Sequence, residues 1–371
     1  MIVRRQAWRA VGAAALLAMA TANCTVGSGS ASSGPAPASS GSASGSSTAV
    51  AVPALTEAQA QEIFERYVRE NAAADEKGDT EAIAHVEGGQ LLEESRAEAR
   101  LHQADGTKDT PVQYVRPTFL IPQQGAGQPA PQSFAVLSKT EGRESDRSST
   151  LHYFTRGADG EWKAVLATWA VTEAATTTPR TPPNPTPSPE STVRVVRPEV
   201  LPPPARGASG GVELSPAAAA DAGVCGRYAQ YLSFAPPTGK RDSPDFEQGD
   251  FTSGLVDFFN GWDAKELVRN LSFRPVDNGL PVFRLQDGGS LVACTLDGTF
   301  HTQGRTPANW IAPGADTSAL LGGPARKWAD IQETWSVSAV VEVPPGGGPA
   351  TVFATNAYQA TKLSVKGVEW K

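Results

Sequence analysis

Residues 56–83 read TEAQAQEIFERYVRENAAADEKGDTEAI, and this stretch decides how the first half of the chain folds. Thr56 followed by Gln59 is a capping-box pattern, in which the two side chains satisfy backbone N–H groups at the start of a helix. Apolar residues such as Tyr67 then recur at helical spacing, with charged residues between them. Gly78 ends the pattern. The stretch therefore predicts a long amphipathic helix with one face packed on a core.

Beyond this helix the pattern changes from helical to strand-like. Asp79 starts a short second helix, and Gln90–Leu101 predicts a third. Strand-like runs follow at residues 112–121, 133–140, 150–156 and 161–171. Residues 157–160, between the last two runs, predict a hairpin, and the apolar residues on both faces of the last run predict a central strand covered on both sides. Helices followed by antiparallel strands indicate an α+β domain over residues 54–172.

The second half of the chain repeats this order. Ser215 followed by Pro216 is typical of a helix start, and Gly254–Leu271 predicts a further helix. Strand-like runs follow at residues 282–285, 291–296, 331–343 and 351–365. Turn residues rich in glycine join them in pairs. These features predict a second α+β domain over residues 213–371.

Two low-complexity stretches bound the predicted domains. Residues 25–53 consist mainly of Ser, Gly and Ala, which is typical of a random-coil tether. Residues 173–212 have a proline-dense centre that cannot sustain a helix or a sheet and favours extended polyproline II. We therefore expect a semi-rigid linker between two domains that fold and move independently.

The N-terminal residues 1–24 predict export. A basic start precedes the apolar run 10–22, which is shorter than the roughly 20 residues of a membrane-spanning helix. Cys24 stands where this signal meets the tether, and the junction resembles the lipobox of bacterial lipoproteins. The resemblance implies a lipid on Cys24 and a chain anchored to the outer face of the cell membrane. The alternative is a soluble secreted chain, cleaved after Ala22 at an A-x-A site.

The net charge bears on the class of partner, and the cysteine content bears on disulfide formation. The formal net charge of −7 argues against a nucleic-acid partner, because phosphate contacts require basic surfaces. Besides Cys24, the chain has Cys225 and Cys294, an even pair in an exported protein. We expect them to form a disulfide, since such bonds persist outside the cytoplasm, with two buried free thiols as the alternative.

The sequence has no catalytic or metal-binding motif of a known kind, so we expect no cofactor and no metal. Residues 207–211 match the G-x-S-x-G pattern of hydrolase nucleophile elbows. That motif requires a strand before it and a helix directly after it, so we interpret this stretch as linker. The histidines, expected at the surface or in packing, are His85, His102, His152 and His301.

The order of elements, together with the helix exit NAAADEKGDTEAI at residues 71–83, resembles the NTF2-like (SnoaL-like) cone domains, in which helices pack on a curved antiparallel sheet. As a whole, the chain resembles uncharacterised tandem-domain lipoproteins of high-GC Gram-positive bacteria. Enzymes of this fold use a His–Asp or Tyr–Asp pair inside the cone. The resemblance implies candidate pocket residues Tyr67, Asp75 and His85 in the first domain, and Tyr228, Trp262, Asp263, His301 and Trp335 in the second.

These features predict an α+β protein with two cone domains and a non-enzymatic binding or interaction role at the cell envelope. Its expected partners are the membrane, through the lipid anchor, and a protein or small hydrophobic ligand. Two alternatives stay open. One is an enzyme of the SnoaL-like type acting on a small hydrophobic molecule inside a cone, and the other is a structural spacer in the cell wall.

Overall fold

The computed structural model describes residues 52–53, 55–108, 111–124, 132–144, 146–174, 199–262, 265–323 and 326–371. The predicted signal peptide with Cys24, nearly all of the predicted tether and the proline-dense centre of the predicted linker lie outside these residues. We refer to the described residues up to 174 as the first half and to those from 199 onward as the second half.

Three helices open the first half where the sequence predicts them. They are α1 (Glu57–Lys77), α2 (Thr80–Ile83) and α3 (Gly89–Asp105). Thr56 accepts a hydrogen bond from the Gln59 N–H group, and the Gln59 side chain accepts one from the Thr56 N–H group, so the predicted capping box is present. Gly78 ends α1 at φ 63°, a left-handed conformation that favours glycine. The Asp79 side chain caps α2.

A four-stranded antiparallel sheet follows, in the order β2-β4-β5-β6. Its strands are β2 (Tyr114–Leu120), β4 (Ser133–Thr140), β5 (Ser148–Arg156) and β6 (Trp162–Val171), while β1 (Val52–Pro53) and β3 (Gln123–Gln124) form a separate pair. β6 stands at the end of the order and not at its centre, which corrects that prediction. Both of its faces are nevertheless covered, since Ala164 packs in the cluster beneath α1 and Leu166 in the cluster shared with the second half.

The second half has four short helices and a six-stranded antiparallel sheet. The helices are α4 (Ala218–Asp221), α5 (Val224–Leu232), α6 (Ser253–Asn260) and α7 (Ala315–Leu320), and a 3-10 turn covers Ala357–Gln359. The strands are β7 (Leu267–Val276), β8 (Phe283–Arg284), β9 (Ser290–Gly304), β10 (Trp328–Val343), β11 (Thr351–Thr355) and β12 (Thr361–Glu369). The order is β11-β10-β9-β7, with β12 on β10 and β8 on β9.

Three predicted elements in this half differ from the observed ones. The helix predicted over Gly254–Leu271 ends at Asn260, and β7 begins at Leu267, where buried and exposed residues alternate as in a strand. The helix predicted from Ser215 is divided into α4 and α5. The run predicted at 351–365 is divided into β11 and β12 by the 3-10 turn.

The two sheets share one hydrophobic cluster. Tyr153 on β5 and Phe283 on β8 are both fully buried, and their rings stack with centroids 6.0 Å apart. On α3, the Arg100 guanidinium donates to the Leu363 carbonyl of β12 at 2.8 Å. The described residues within the range Val50–Lys371 form one compact unit. The two α+β halves therefore meet through a shared core, a contact that the sequence does not predict.

The C-terminal part of the predicted linker is folded between the two sheets. The Val212 N–H group donates to the Ile121 carbonyl at 2.8 Å, and the Val212 carbonyl accepts from the Gln123 N–H group at 2.7 Å. Leu201 and Val212 are buried. The G-x-S-x-G stretch is a tight turn closed by the Gly207 N–H group on the Gly211 carbonyl at 3.0 Å. Linker residues 199–212 are therefore folded against the rest of the chain, with Leu201 and Val212 in the core, and no nucleophile elbow forms there.

Cys225 on α5 and Cys294 on β9 form the predicted disulfide, with their Cα atoms 5.3 Å apart. It joins the first long helix of the second half to the central part of its sheet. Such bonds are typical of an oxidising, extracytoplasmic environment. No helix in the described part of the chain combines the length and apolarity of a membrane span.

Candidate functional site

A cavity of about 720 Å³ lies among α1, α3 and the start of β2 in the first half. From α1 it is lined by Tyr67, Asn71 and Asp75, which are spaced four residues apart and so share one face of the helix. From α3 it is lined by Leu91 and Ser95, which have the same spacing. The cavity therefore lies between one face of α1 and one face of α3.

Glu87 forms the floor of this cavity and is 2% exposed. The backbone on either side of it is paired with β6, because the Val86 carbonyl accepts from the Ala164 N–H group and the Gly88 N–H group donates to the Ala164 carbonyl, both at 2.9 Å. Gly89, at φ 54°, then turns the chain into α3. This pairing holds the Glu87 side chain at a fixed place beneath the helices.

The Glu87 carboxyl accepts three hydrogen bonds from neutral groups. Ser95 Oγ donates to Oε2 at 2.6 Å, Asn71 Nδ2 donates to Oε1 at 2.9 Å, and the Tyr67 hydroxyl makes a longer contact with Oε1 at 3.4 Å. None of these three donors carries a positive charge. We call this space, with Glu87 at its floor, the Glu87 cavity.

Burial determines the protonation state of three ionisable side chains that line the cavity. Burial is the largest cause that raises the pKa of Glu87 from 4.5 to about 8; the Asp75 charge acts in the same direction, and the hydrogen bonds from Ser95 and Tyr67 act against it. Burial also raises the pKa of Tyr67 well above its usual range and that of Tyr114 to about 12. At neutral pH these three groups hold their protons. The floor of the cavity is therefore a neutral hydrogen-bonding surface.

His152 on β5 supports this floor from below. Its ring packs against the rings of Tyr114 and Tyr67, with centroids 4.6 and 5.5 Å apart. Burial lowers the pKa of His152 to about 3, so the imidazole is neutral. Neither ring nitrogen has a hydrogen-bond partner among the described residues. His152 is thus a packing residue that adds no charge to the site.

The structure brings two of the three predicted pocket residues of the first half together and places the third elsewhere. Tyr67 and Asp75 line the Glu87 cavity, whereas His85 is exposed and does not line it. Sequence reasoning missed Asn71 and Glu87. The four-residue spacing from Tyr67 would have indicated Asn71. Glu87 carries no local signal, because its position depends on backbone pairing with β6.

Three of the predicted pocket residues of the second half, Tyr228, Trp262 and Trp335, pack in or against its core. The Tyr228 hydroxyl is fully buried and donates to the Phe251 carbonyl at 2.7 Å. Trp335 Nε1 donates to Glu333 Oε2 at 2.8 Å, and the Trp262 ring packs on the Trp335 ring with centroids 6.0 Å apart. All three aromatic residues pack in one hydrophobic cluster. The structure therefore corrects the prediction of a cone pocket around them.

Of the two remaining predicted pocket residues, His301 lies apart from the Glu87 cavity and Asp263 is not described. His301 on β9 pairs with Asp330 on β10, with Nε2 and Oδ2 2.6 Å apart, and both are partly exposed. Asp263 lies outside the described residues. His102 lines the Glu87 cavity from α3. Within the described ranges, no cluster of His, Cys, Asp and Glu side chains is arranged to hold a metal ion.

Comparison with known proteins gives one match. A family model described as a domain of unknown function, DUF8094, matches residues 51–181. The first half of the chain is similar to that domain. The matched range includes the three helices and the four-stranded sheet, and therefore every residue of the Glu87 cavity. No curated protein and no solved structure matches the chain.

Proposed function

We propose that this chain is an exported binding protein of the cell envelope, and that its first half binds a small polar ligand in the Glu87 cavity. The observation that carries the proposal is a ligand-sized cavity with a buried carboxyl group at its floor. Small-molecule sites usually measure roughly 300–1,000 Å³ and orient their ligand through a few convergent polar groups. Buried ionisable groups with a strongly shifted pKa are typical of such sites.

The lining favours a polar ligand over the small hydrophobic ligand that the sequence suggests. Around the rim stand charged side chains of both signs, among them Lys77, Arg96 and Glu98. At the floor, a protonated Glu87 can donate one hydrogen bond and accept others, and the hydroxyl of Tyr67 can do the same. A ligand with adjacent donor and acceptor groups would match this floor, whereas an apolar ligand would leave buried polar groups unpaired.

The proposal also includes the finer sequence-based interpretations. These are a lipid on Cys24, anchoring at the outer face of the membrane, and an NTF2-like character of both halves. The disulfide supports the compartment, because it requires an oxidising environment. The order of helices before an antiparallel sheet in the first half supports the NTF2-like character.

A second candidate function is catalysis in the same cavity, with Glu87 as a general acid. One observation favours it: a glutamate with a pKa of about 8 is still protonated at neutral pH and lies next to a tyrosine hydroxyl. Against it, a protonated carboxyl is a poor base for Ser95, and a nucleophile–base pair is therefore missing from this part of the described site. Binding without turnover fits these groups better.

A cavity-filling substitution tests the binding proposal. Ala99 lines the cavity from α3, so Ala99→Trp should occupy the ligand space while leaving the Glu87 hydrogen bonds intact. Ala58, exposed on α1, gives the matched control Ala58→Trp. Pools of small polar metabolites would be screened by ligand-observed NMR against the purified protein. We expect ligands whose signals respond to the wild type and to Ala58→Trp but not to Ala99→Trp.

Three other results would contradict the proposal or favour one of its rivals. Binding that survives Ala99→Trp unchanged would place the ligand elsewhere. Chemical conversion of a bound ligand, abolished by Glu87→Gln, would favour the enzyme. The absence of any ligand from polar and apolar pools alike would favour the structural spacer.

A further inference from the structure

A second cavity, of about 810 Å³, opens as a groove where the two halves meet. One wall belongs to the first half and contains Arg147, Trp169 on β6 and the nearby Val171. The other wall belongs to the second half and contains Phe251 and the 3-10 turn with Tyr358. We call this space the seam groove. Ligand sites often lie at such junctions, because two surfaces supply groups that neither has alone.

The floor of the seam groove is aromatic and held in place. The Trp169 ring meets the Phe251 ring edge-on, with centroids 5.6 Å apart, and Phe251 in turn contacts Tyr358 at 6.4 Å. The Tyr358 hydroxyl donates to the Asp250 carbonyl, which fixes its ring. Phe251 is buried, while Trp169 and Tyr358 are half-buried. The groove therefore presents two partly exposed aromatic side chains on a rigid base.

The rim of the seam groove is polar. Asp146, Arg147 and Gln359 are exposed there and offer a carboxylate, a guanidinium and an amide. Arg147 Nε donates to the Glu173 carbonyl at 2.9 Å, which holds this side chain at the rim. Asp146 and Arg147 carry opposite charges, so the rim has no clear preference for a charged ligand. The groove combines apolar stacking surfaces with directional hydrogen-bonding groups.

We propose that the seam groove binds an oligosaccharide chain. A pyranose ring has an apolar face of C–H groups, which suits the electron-rich face of an indole or phenol ring. Its hydroxyl groups project from the ring edge, where planar amide, carboxylate and guanidinium groups can pair with them. A purely apolar ligand would make no hydrogen bonds with the rim, and an ionic ligand would meet one charge of the same sign as its own. A neutral sugar chain can pack its C–H faces on the aromatic floor and pair its hydroxyl groups with the polar rim. This inference does not depend on the Glu87 cavity.

The test is saturation-transfer NMR and calorimetry on the purified protein with three soluble hexasaccharides. These are the β-1,4-linked hexamers of N-acetylglucosamine and of glucose, and an α-1,6-linked mannose hexamer. We expect saturation to pass from the protein to the ring C–H protons of at least one of them. Trp169→Ala should then raise the dissociation constant roughly tenfold or more, as truncating a central aromatic contact usually does.

Matched variants separate loss of binding from loss of fold. Trp310 is 43% exposed and does not line the groove, so Trp310→Ala should leave sugar binding unchanged. Because Trp169 also packs on the core, a combined Asp146→Ala and Gln359→Ala variant removes only exposed rim groups and should also weaken binding. No saturation transfer to any hexamer would overturn the proposal. So would binding that both groove variants leave intact.

Discussion

The backbone N–H group of Leu201 donates to the carbonyl of Val171 at 2.8 Å. Val171 is the last residue of β6, and Leu201 lies near the start of the second half. The bond therefore places the start of the second half beside the end of β6. The described chain that ends at residue 174 and the described chain that begins at residue 199 are therefore close together at one end of β6. The compact unit is closed by direct contacts between the halves, such as the stack of Tyr153 on Phe283.

We predict that residues 175–198 can be replaced by about eight Gly and Ser residues without loss of the fold. Loop-closure entropy changes slowly with length, so the shorter loop should change the free energy of unfolding by only about 1 kcal/mol. Thermal melts of the wild type and of the shortened variant would measure this difference. A large drop in melting temperature would indicate that the proline-rich segment contributes contacts of its own.

The same geometry predicts the behaviour of the nicked protein. Proteolysis between residues 175 and 198 should yield two fragments that remain associated, because they share the cluster around Tyr153 and Phe283. Size-exclusion chromatography after cleavage would show a single peak at the original volume. Two separate peaks, each containing a folded fragment, would instead show the independent domains that the sequence predicts.

Phe283→Ala should destabilise both halves together. Phe283 is fully buried in the shared cluster, and removing a buried phenylalanine side chain costs about 3–5 kcal/mol. Phe258→Ala is the matched control, because Phe258 is 37% exposed. We expect one thermal transition, lowered in the first variant and little changed in the control. Hydrogen exchange that rises only in the second half would be evidence against a shared core.

Reduction of the Cys225–Cys294 disulfide should lower the melting temperature of the whole unit. The bond closes a loop with a sequence separation of 69, and chain-entropy models assign such a link about 4 kcal/mol. Since the halves share a core, the single transition should move as one. Melts with and without a reductant, and of the Cys225→Ala/Cys294→Ala pair, provide the measurement. If two transitions separate and only one moves, the halves are uncoupled.

Stability should fall with rising pH because of Glu87. Burial raises its pKa from 4.5 to about 8, so the folded state holds a proton that the unfolded state releases. The contribution of this group is fully present below pH 4.5 and is lost as the pH rises through about 8. Glu87→Gln cannot ionise, so its melting temperature should depend less on pH across this range.

Glu81→Gln is the control for this experiment, because Glu81 is exposed on α2. Its melting curve should follow the wild type at every pH. Glu94, whose pKa burial raises to about 7, is present in all three proteins and so cancels in the comparison. Parallel pH profiles for the wild type and Glu87→Gln would show that Glu87 is not protonated in the folded state.

The sequence by itself determined those features that depend on near neighbours along the chain. The capping box at Thr56, the end of α1 at Gly78 and the strands of the first half follow from helical spacing, left-handed glycine and apolar runs. The disulfide followed from the parity of cysteines in an exported chain. Where helical and alternating patterns overlapped, as at Leu267, local reasoning chose the wrong element.

Only the tertiary structure decided how these elements meet. The shared cluster, the folded end of the predicted linker and the position of Glu87 beneath two helices all depend on pairings between residues far apart in sequence. A carboxyl group gains a high pKa only when the rest of the fold removes it from water. Burial is a property of the assembled chain, and no local pattern of residues specifies it.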